Sequence, residues 1–408
     1  KQIREIFIMF FWETISLRNQ IKEKRTYFYR PNLHRSVGCE RKVMNSILNG
    51  VKKEAAPPKK LQQKKQRVVK IACDLVGECI EKYPQVVGFE LGGSYAKGTW
   101  VPEKPVDNVD IDIFVKFNKK TSEKDFRNIG TEIGFESLKK YKPYTRHAEH
   151  PFVEAIIDGT RVNVVPCYDV NKGEWKSATD RSIYHTKFML QKLSNSMKGD
   201  VRILKKFLQH IEVYGAEIAK EGFSGYVTEA LIFYFGSFEK TIKKISELKK
   251  GQVIGKSTKK FDSFVVIIDP IDNNRNLGTA ISIENLGKFV LASRAFLRNP
   301  SKNFFKKPIS KRIMRNTDKI IVVQFKVKER SDDIVWGQIK RASNALKTQL
   351  ELGGFTVLRN SSVKDEKENA ALVFLLHAKK IENSLVRSGP EISSKEHCEK
   401  FIAANLKK

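Results

Sequence analysis

The stretch "GGSYAKGTWVPEKPVDNVDIDIFVKF", residues 92 to 117, decides the fold. A Gly-Gly-Ser turn is followed downstream by aspartates at alternate positions and then by an apolar strand. Side chains alternate across a strand, so Asp110, Asp112 and Phe114 face one way and Ile111, Ile113 and Val115 the other. Two carboxylates about 6–7 Å apart on one face repel each other unless a cation lies between them. Gly92 and Gly93 let the backbone approach a ligand, and successive N–H groups at a helix start favour an anion such as phosphate. Ser94 adds a hydroxyl donor, and Lys97 a charge one turn on. A hard cation such as Mg²⁺ prefers carboxylates and substrate phosphates, so Asp110 and Asp112 read as ligands of a metal pair that activates a hydroxyl and stabilises a leaving oxygen. The alternative for the aspartates is a solvated strand end paired to a nearby lysine.

Composition bounds the rest. The chain has 408 residues, enough for two or three domains with proper cores. It carries 76 Lys and Arg against 46 Asp and Glu, a net charge of +30 spread along its length. Such a surface points first to nucleic acid and second to an anionic membrane. The apolar run "IFIMFFW", residues 6 to 12, is far short of a bilayer span, so no membrane partner is expected. Five cysteines without a C-x-x-C pair fit a reducing, cytoplasmic setting. Residues 1–43 show no clear period; they read as a basic extension outside the native fold, an upstream or mis-started stretch, or as an RNA-touching arm.

From residue 44 to 192 the pattern alternates between strands and helices. "AAPPKKLQQKKQRVVKIACDLVGECI" is a helix with Val68, Ile71, Leu75, Val76, Cys79 and Ile80 on one face. "VVGFELGGS" is a short strand entering the glycine turn, residues 109–117 a second strand and residues 122–140 a polar helix. "FVEAIIDGTRVNVVPCY" reads as two strands around an Asp158-Gly159 turn. Residues 193–305 are mainly helical, with a buried run "FDSFVVIIDP" and a loop "IDNNRN". Residues 306–408 form a small β-α-β-β tail ending in "IAANLKK" without a terminating element, so the tail is expected to be truncated.

"GGSYAKGTW…DIDIFVKF" resembles the signature of the polymerase-β-like nucleotidyltransferases. "HAEHPFVEA", "VNVVPCYDV", "TDRSIYHTKF", "RILKKFL", "VYGAE", "GFSGY" and "DPIDNNRN" narrow the resemblance to the archaeal, class I, CCA-adding enzymes. Each piece is weak alone; their collinear order from about residue 55 to 400 is specific. The resemblance implies an α+β fold: a nucleotidyltransferase head with a mixed sheet and helices, a helical central domain that binds nucleotide and RNA, and the tail as a tRNA-binding domain. It implies Mg²⁺ as cofactor and addition of C, C and A to tRNA 3′ ends from CTP and ATP. The tRNA acceptor stem and T arm would be gripped by shape, and a homodimer is among the expectations.

Residue by residue, the resemblance implies that Gly93, Ser94 and Lys97 bind the triphosphate and that Asp110 and Asp112 ligate metal. It implies that His185, Lys205 and Tyr214 contact triphosphate and sugar, and that Arg275 helps read the base edge. From the residues alone, His185 reads as structural and Tyr214 as packing, and Lys205, like Lys206, flanks the apolar face of Ile203, Leu204, Phe207 and Leu208 where a surface charge would also sit. The sequence departs from the family at one point: the position of the third carboxylate is Asn163. An amide oxygen ligates a hard cation more weakly, which raises the expected Mg²⁺ requirement. Glu154 and Asp158 are candidate substitutes without obvious reach. Other readings are a poly(A)- or uridylyl-adding relative, a small-molecule nucleotidyltransferase, and a tRNA-binding protein with a weakened site.

Overall fold

In a computed structural model of the chain, residues 37–102, 109–146, 151–306, 319–328, 330–365, 368–380 and 389–405 are described. The expectations for residues 1–36 lie outside them. Described residues fall into two compact units, one within 16–311 plus 330–337 and one within 312–329 plus 338–408.

The larger unit opens with helices α1 (Val37–Ala55) and α2 (Lys59–Ile80). The boundary expected at residue 43 falls inside α1, and that at residue 192 inside this unit. Pro58 starts α2, its carbonyl accepting from the N–H groups of Leu61 and Gln62. The face that α2 buries runs through Lys65, Val68, Ala72, Val76 and Cys79. Ile71, expected on that face, is 40% exposed, because a stripe stepping by four and three residues leaves it at the edge. Lys65 is fully buried, and its ammonium donates to the Val109 carbonyl and the Thr160 hydroxyl, both at 3.1 Å. It thereby joins the starts of the two strands that carry the aspartates and Asn163.

Strand β1 (Val86–Gly92) runs into the short helix α3 (Gly93–Lys97) and is followed by β2 (Ile111–Asn118) and α4 (Glu123–Leu138). After β3 (Tyr144–Arg146), strands β4 (Phe152–Ile157) and β5 (Thr160–Asp169) form the expected hairpin. Asp158 and Gly159 both take positive φ there, 47° and 68°, as a two-residue hairpin turn requires. The sheet order is β1-β2-β5-β4-β3, with only β2 and β5 parallel. Ile111, Ile113, Val115 and Phe117 pack into a core closed by α2 and α4.

Beyond the sheet come α5 (Asp180–Lys192), α6 (Asn195–His210), α7 (Gly225–Phe235) and α8 (Phe238–Ser246). Within the span expected to be mainly helical, Gly236 terminates α7 with a φ of 85°, and Ser237 caps α8. A small sheet, β6 (Gln252–Ile254), β7 (Val265–Asp269) and β8 (Asp272–Asn276), precedes α9 (Ile283–Arg298). The segment "IDNNRN", expected as a loop, therefore supplies a strand antiparallel to the buried β7. Its polar composition hides a conformation that the partner strand and the Asn276 side chain impose; Asn276 accepts from the Ile267 and Gly278 N–H groups. A second core, centred on Phe207 among Phe238, Phe289, Phe296 and Phe305, holds these helices together.

The smaller unit contains β9 (Ile320–Lys326), α10 (Asp332–Leu352) from Gln338 onward, β10 (Val357–Lys364) and β11 (Asn369–Leu376). Its sheet order is β10-β11-β9, all antiparallel, as the β-α-β-β pattern requires. Helix α11 (Lys395–Asn405) occupies the stretch in which no terminating element was expected.

Candidate active site

The register of three strands builds the site. Asp112 on β2 lies opposite Asn163 on parallel β5, and Asn163 lies opposite Glu154 on β4. These three side chains therefore share one face of the sheet. The Asn163 amide donates to the Asp112 carboxylate at 2.8 Å, while Asn163 Oδ1 is buried without a hydrogen-bond partner. Asp110, just before β2, is held by Arg161, whose Nε lies 2.6 Å from Oδ1. Burial pushes both aspartates above their ordinary range. For Asp110 the Arg161 charge opposes this; for Asp112 the Asn163 amide opposes it and the Asp110 charge adds to it.

The glycine turn is dictated by the same carboxylate. Gly93 has φ +70°, and a Cβ there would lie 1.9 Å from Asp112 Oδ2. A Cβ at Gly92 would lie 2.4 Å from the Phe114 ring. Both positions need glycine for the turn to approach the strand end. Helix α3 is only five residues long, so the turn itself and its side chains, not a helix dipole, must provide any anion binding.

A cavity of about 370 Å³ opens over this strand face, lined by Gly93, Lys97, Asp112, Asn163, His185 and Tyr226 among others. Of the residues expected from sequence, Ser94, Asp110, Lys205, Tyr214 and Arg275 lie outside its lining. Lys205 and Tyr214 gather instead at the start of α7: a Cβ at Gly225 would lie 3.1 Å from the Tyr214 hydroxyl and 3.6 Å from Lys205 Nζ. Asp158 sits in the hairpin turn, paired at 3.7 Å with Lys64. Glu154 is buried and takes the Tyr144 hydroxyl, with Arg146 at 3.7 Å.

Two buried carboxylates that the sequence reading missed organise the expected cations. Glu229 on α7 is fully buried; it accepts from Lys97 Nζ at 2.6 Å and from the Thr99 hydroxyl, with Lys205 Nζ at 3.9 Å. Lys205 is 2% exposed, not a surface charge. Burial would push the Glu229 carboxyl up, but Lys97 and Lys205 hold it below its ordinary value; burial pushes Lys205 down, with Glu229 opposing. Asp269, also fully buried, takes His185 Nε2 and the Tyr226 hydroxyl at 2.9 Å, and the Arg275 guanidinium and the Ile271 N–H at 3.1 Å. An ionised Asp269 fixes the proton on Nε2 of a neutral His185, whose pKa burial lowers against the Asp269 charge. Tyr226 stacks on the His185 ring with centroids 3.7 Å apart. Motif order could point to Tyr226, within "GFSGY"; nothing local marked Glu229.

The oxygen set suits a hard divalent cation: Asp110, Asp112 and the unpartnered Asn163 Oδ1. Among the described residues no three His, Cys, Asp or Glu side chains gather as a metal site, so a third oxygen at this strand end would have to come from the Asn163 amide.

Glu229→Gln leaves Lys97 and Lys205 buried without their counter-charge and should cost about 3–5 kcal/mol in urea unfolding. A depressed carboxylate stabilises the fold above its unfolded pKa, near 4.5, and that contribution is lost as pH falls through the folded value. The variant should therefore lack this part of the acid limb; an unchanged stability profile between pH 3 and 7 would remove Glu229 from the account.

Residues 72–185 match the nucleotidyltransferase domain, residues 199–306 the second domain of tRNA nucleotidyltransferase, and residues 316–408 the C-terminal domain of the CCA-adding enzyme. The CCA-adding enzyme of Pyrobaculum islandicum is 33% identical over 86% of this chain and 83% of its own length. That of Methanothermobacter thermautotrophicus is 31% identical over 83% of this chain and 77% of its own. That of Methanocaldococcus jannaschii is 32% identical over 88% of this chain and 83% of its own. The head, helical middle and β-α-β-β tail follow the order of the three matched domains. The chain belongs to the CCA-adding enzyme family of nucleotidyltransferases.

Proposed function

We propose that this chain adds C, C and A without a template to the 3′ end of tRNA, using CTP and ATP and releasing pyrophosphate. The observation that carries this reading is the pairing of Asp112 and Asn163 beneath the Gly93 turn, in a cavity that also exposes Lys97 and His185. The reaction is in-line attack of the RNA 3′-hydroxyl on the α-phosphorus, where the protein supplies position and charge rather than covalent chemistry. Asp110, Asp112 and Asn163 would hold a divalent metal, Mg²⁺ in this reading, which when bound activates the hydroxyl and offsets the charge of the departing pyrophosphate. Lys97, its ammonium fixed by Glu229, presents an oriented positive charge to the triphosphate, and Ser94 adds a hydroxyl. His185, in the cavity lining, serves triphosphate and sugar; Lys205 and Tyr214, outside that lining at the start of α7, would reach the same groups only from there. Arg275 has donors only, suited to a base acceptor or an RNA phosphate.

The positive surface grips the acceptor stem and T arm by phosphate and minor-groove contacts. Residues 44–192 then act as catalytic head, 193–305 as nucleotide- and RNA-binding middle and 306–408 as tRNA-binding tail. Action in the cytoplasm and a homodimer complete the reading; among the described residues no helix is long and apolar enough to cross a membrane. A tRNA-binding protein with a weakened centre is the second reading, favoured by Asn163 and by Arg161 on Asp110.

Incubation with labelled CTP, ATP and tRNA lacking its terminal CCA should give three added nucleotides and arrest. Long homopolymer tails would assign it to the poly(A) or uridylyl type, and binding without incorporation would leave the second reading. In Asn163→Asp the Mg²⁺ half-saturation should fall several-fold, while the metal-free melting temperature drops a few degrees because a second carboxylate then faces Asp112. An unchanged half-saturation contradicts a weakened site. Raising KCl from 50 to 200 mM should weaken tRNA binding by about tenfold or more; flat binding would sink the electrostatic account.

A further inference from the structure

The Arg161 side chain has no role in the reaction proposed above, yet among the described residues it pairs with Asp110. It lies on β5 two residues before Asn163, hence on the same sheet face, and its guanidinium meets Asp110 Oδ1 at 2.6 Å. Asp110 and Arg161 are each partly exposed, at 37% of their side-chain surface, so solvent reaches the pair and it can separate. The buried Glu154 carboxylate, opposite Asn163 on β4, acts electrostatically on both Arg161 and Asp110. Asn163 Oδ1 meanwhile is buried with no partner. The three residues that replace or flank the expected third carboxylate thus offer a cation, an orphan oxygen and a second anion for that cation.

We propose that Arg161 is a tethered cation that occupies Asp110 in the metal-free protein, competes there with the divalent metal, and moves toward Glu154 when the metal binds. The proposal rests on Asp110 being a metal ligand, as proposed above. The guanidinium offsets one of the two aspartate charges at the strand end, which weakens its hold on a divalent ion before a triphosphate adds its own oxygens. Metal loading is thereby coupled to nucleotide arrival. Arg161 is a positioning residue here: it touches Asp110, not the reacting atoms.

Binding of Mn²⁺ to the full chain without nucleotide, followed by electron paramagnetic resonance of the free ion, tests this apart from activity. Arg161→Ala and Arg161→Gln should each tighten Mn²⁺ binding by about tenfold, the effect expected for removing a contacting opposite charge. Arg146→Gln removes an equal charge near Glu154 without touching Asp110 and should change binding less than twofold. No gain in the Arg161 variants, or an equal gain in Arg146→Gln, overturns the competition. Glu154→Gln should weaken binding more in the native background than with Arg161→Ala, since only in the native background does it also remove the alternative anion of the Arg161 guanidinium. Equal weakening in both backgrounds overturns that part. Loss of CCA addition with these shifts intact would sink the proposed activity alone, and CCA addition with no shift would sink the role of Arg161 alone.

Discussion

Everything at this site depends on one buried carboxylate meeting a lysine from a distant part of the chain. Glu229 and Lys97 are 132 residues apart and join the helix after the glycine turn to the helical middle. A buried ion pair adds little net stability compared with a well-packed apolar pair, yet breaking one leaves an uncompensated charge. Its value here is positional. With Thr99 also donating to Glu229, the segment after the turn is fixed at two points, and that keeps Gly93 against Asp112. The same carboxylate draws Lys205 into the interior and opposes the push of burial on that lysine's pKa.

Asp269 repeats this logic on the other side of the cavity. It gathers an imidazole, a phenol and a guanidinium, and thereby sets the tautomer of His185 and the place of Tyr226. Both acidic anchors sit on elements of the helical middle and hold side chains that serve the sheet. The cavity is a joint product of the two cores, and neither half carries its chemistry alone.

This explains what the sequence made legible. Period-two alternation marked the aspartate strand, and the Asp158-Gly159 hairpin followed from turn chemistry, because both are local rules read over a few residues. Glycine in the turn was legible as a need for close approach; that the near neighbour would be Asp112 was not. Lys205 looked like flanking charge because helical spacing tells which residues share a face, not what packs on the second face. Glu229 and Asp269 escaped for the same reason: a buried acid in an apolar run gains meaning only from partners far off in sequence, His185 lying 84 residues from Asp269. The β8 strand was hidden by five polar residues whose pairing comes from β7. Ile71 is the converse case, an apolar residue that the period placed inside and the packing left out.

The acidic strand end, read as the proposed metal site, is built with fewer negative charges. Asp110 and Asp112 are both destabilised as carboxylates by burial, and three carboxylates in the same space would repel still more strongly with no cation present. Asn163 removes one of those charges and gives Asp112 a donor; Arg161 gives Asp110 another. Each change favours the empty fold and weakens its hold on a metal, so the two demands cannot be met together at fixed charge. In the proposed reading a nucleoside triphosphate would resolve the conflict, because it brings negative oxygens of its own. The chain then needs only enough charge to place the metal. On this argument Asn163 is not a scar of lost catalysis but one way of keeping an acidic site folded between turnovers.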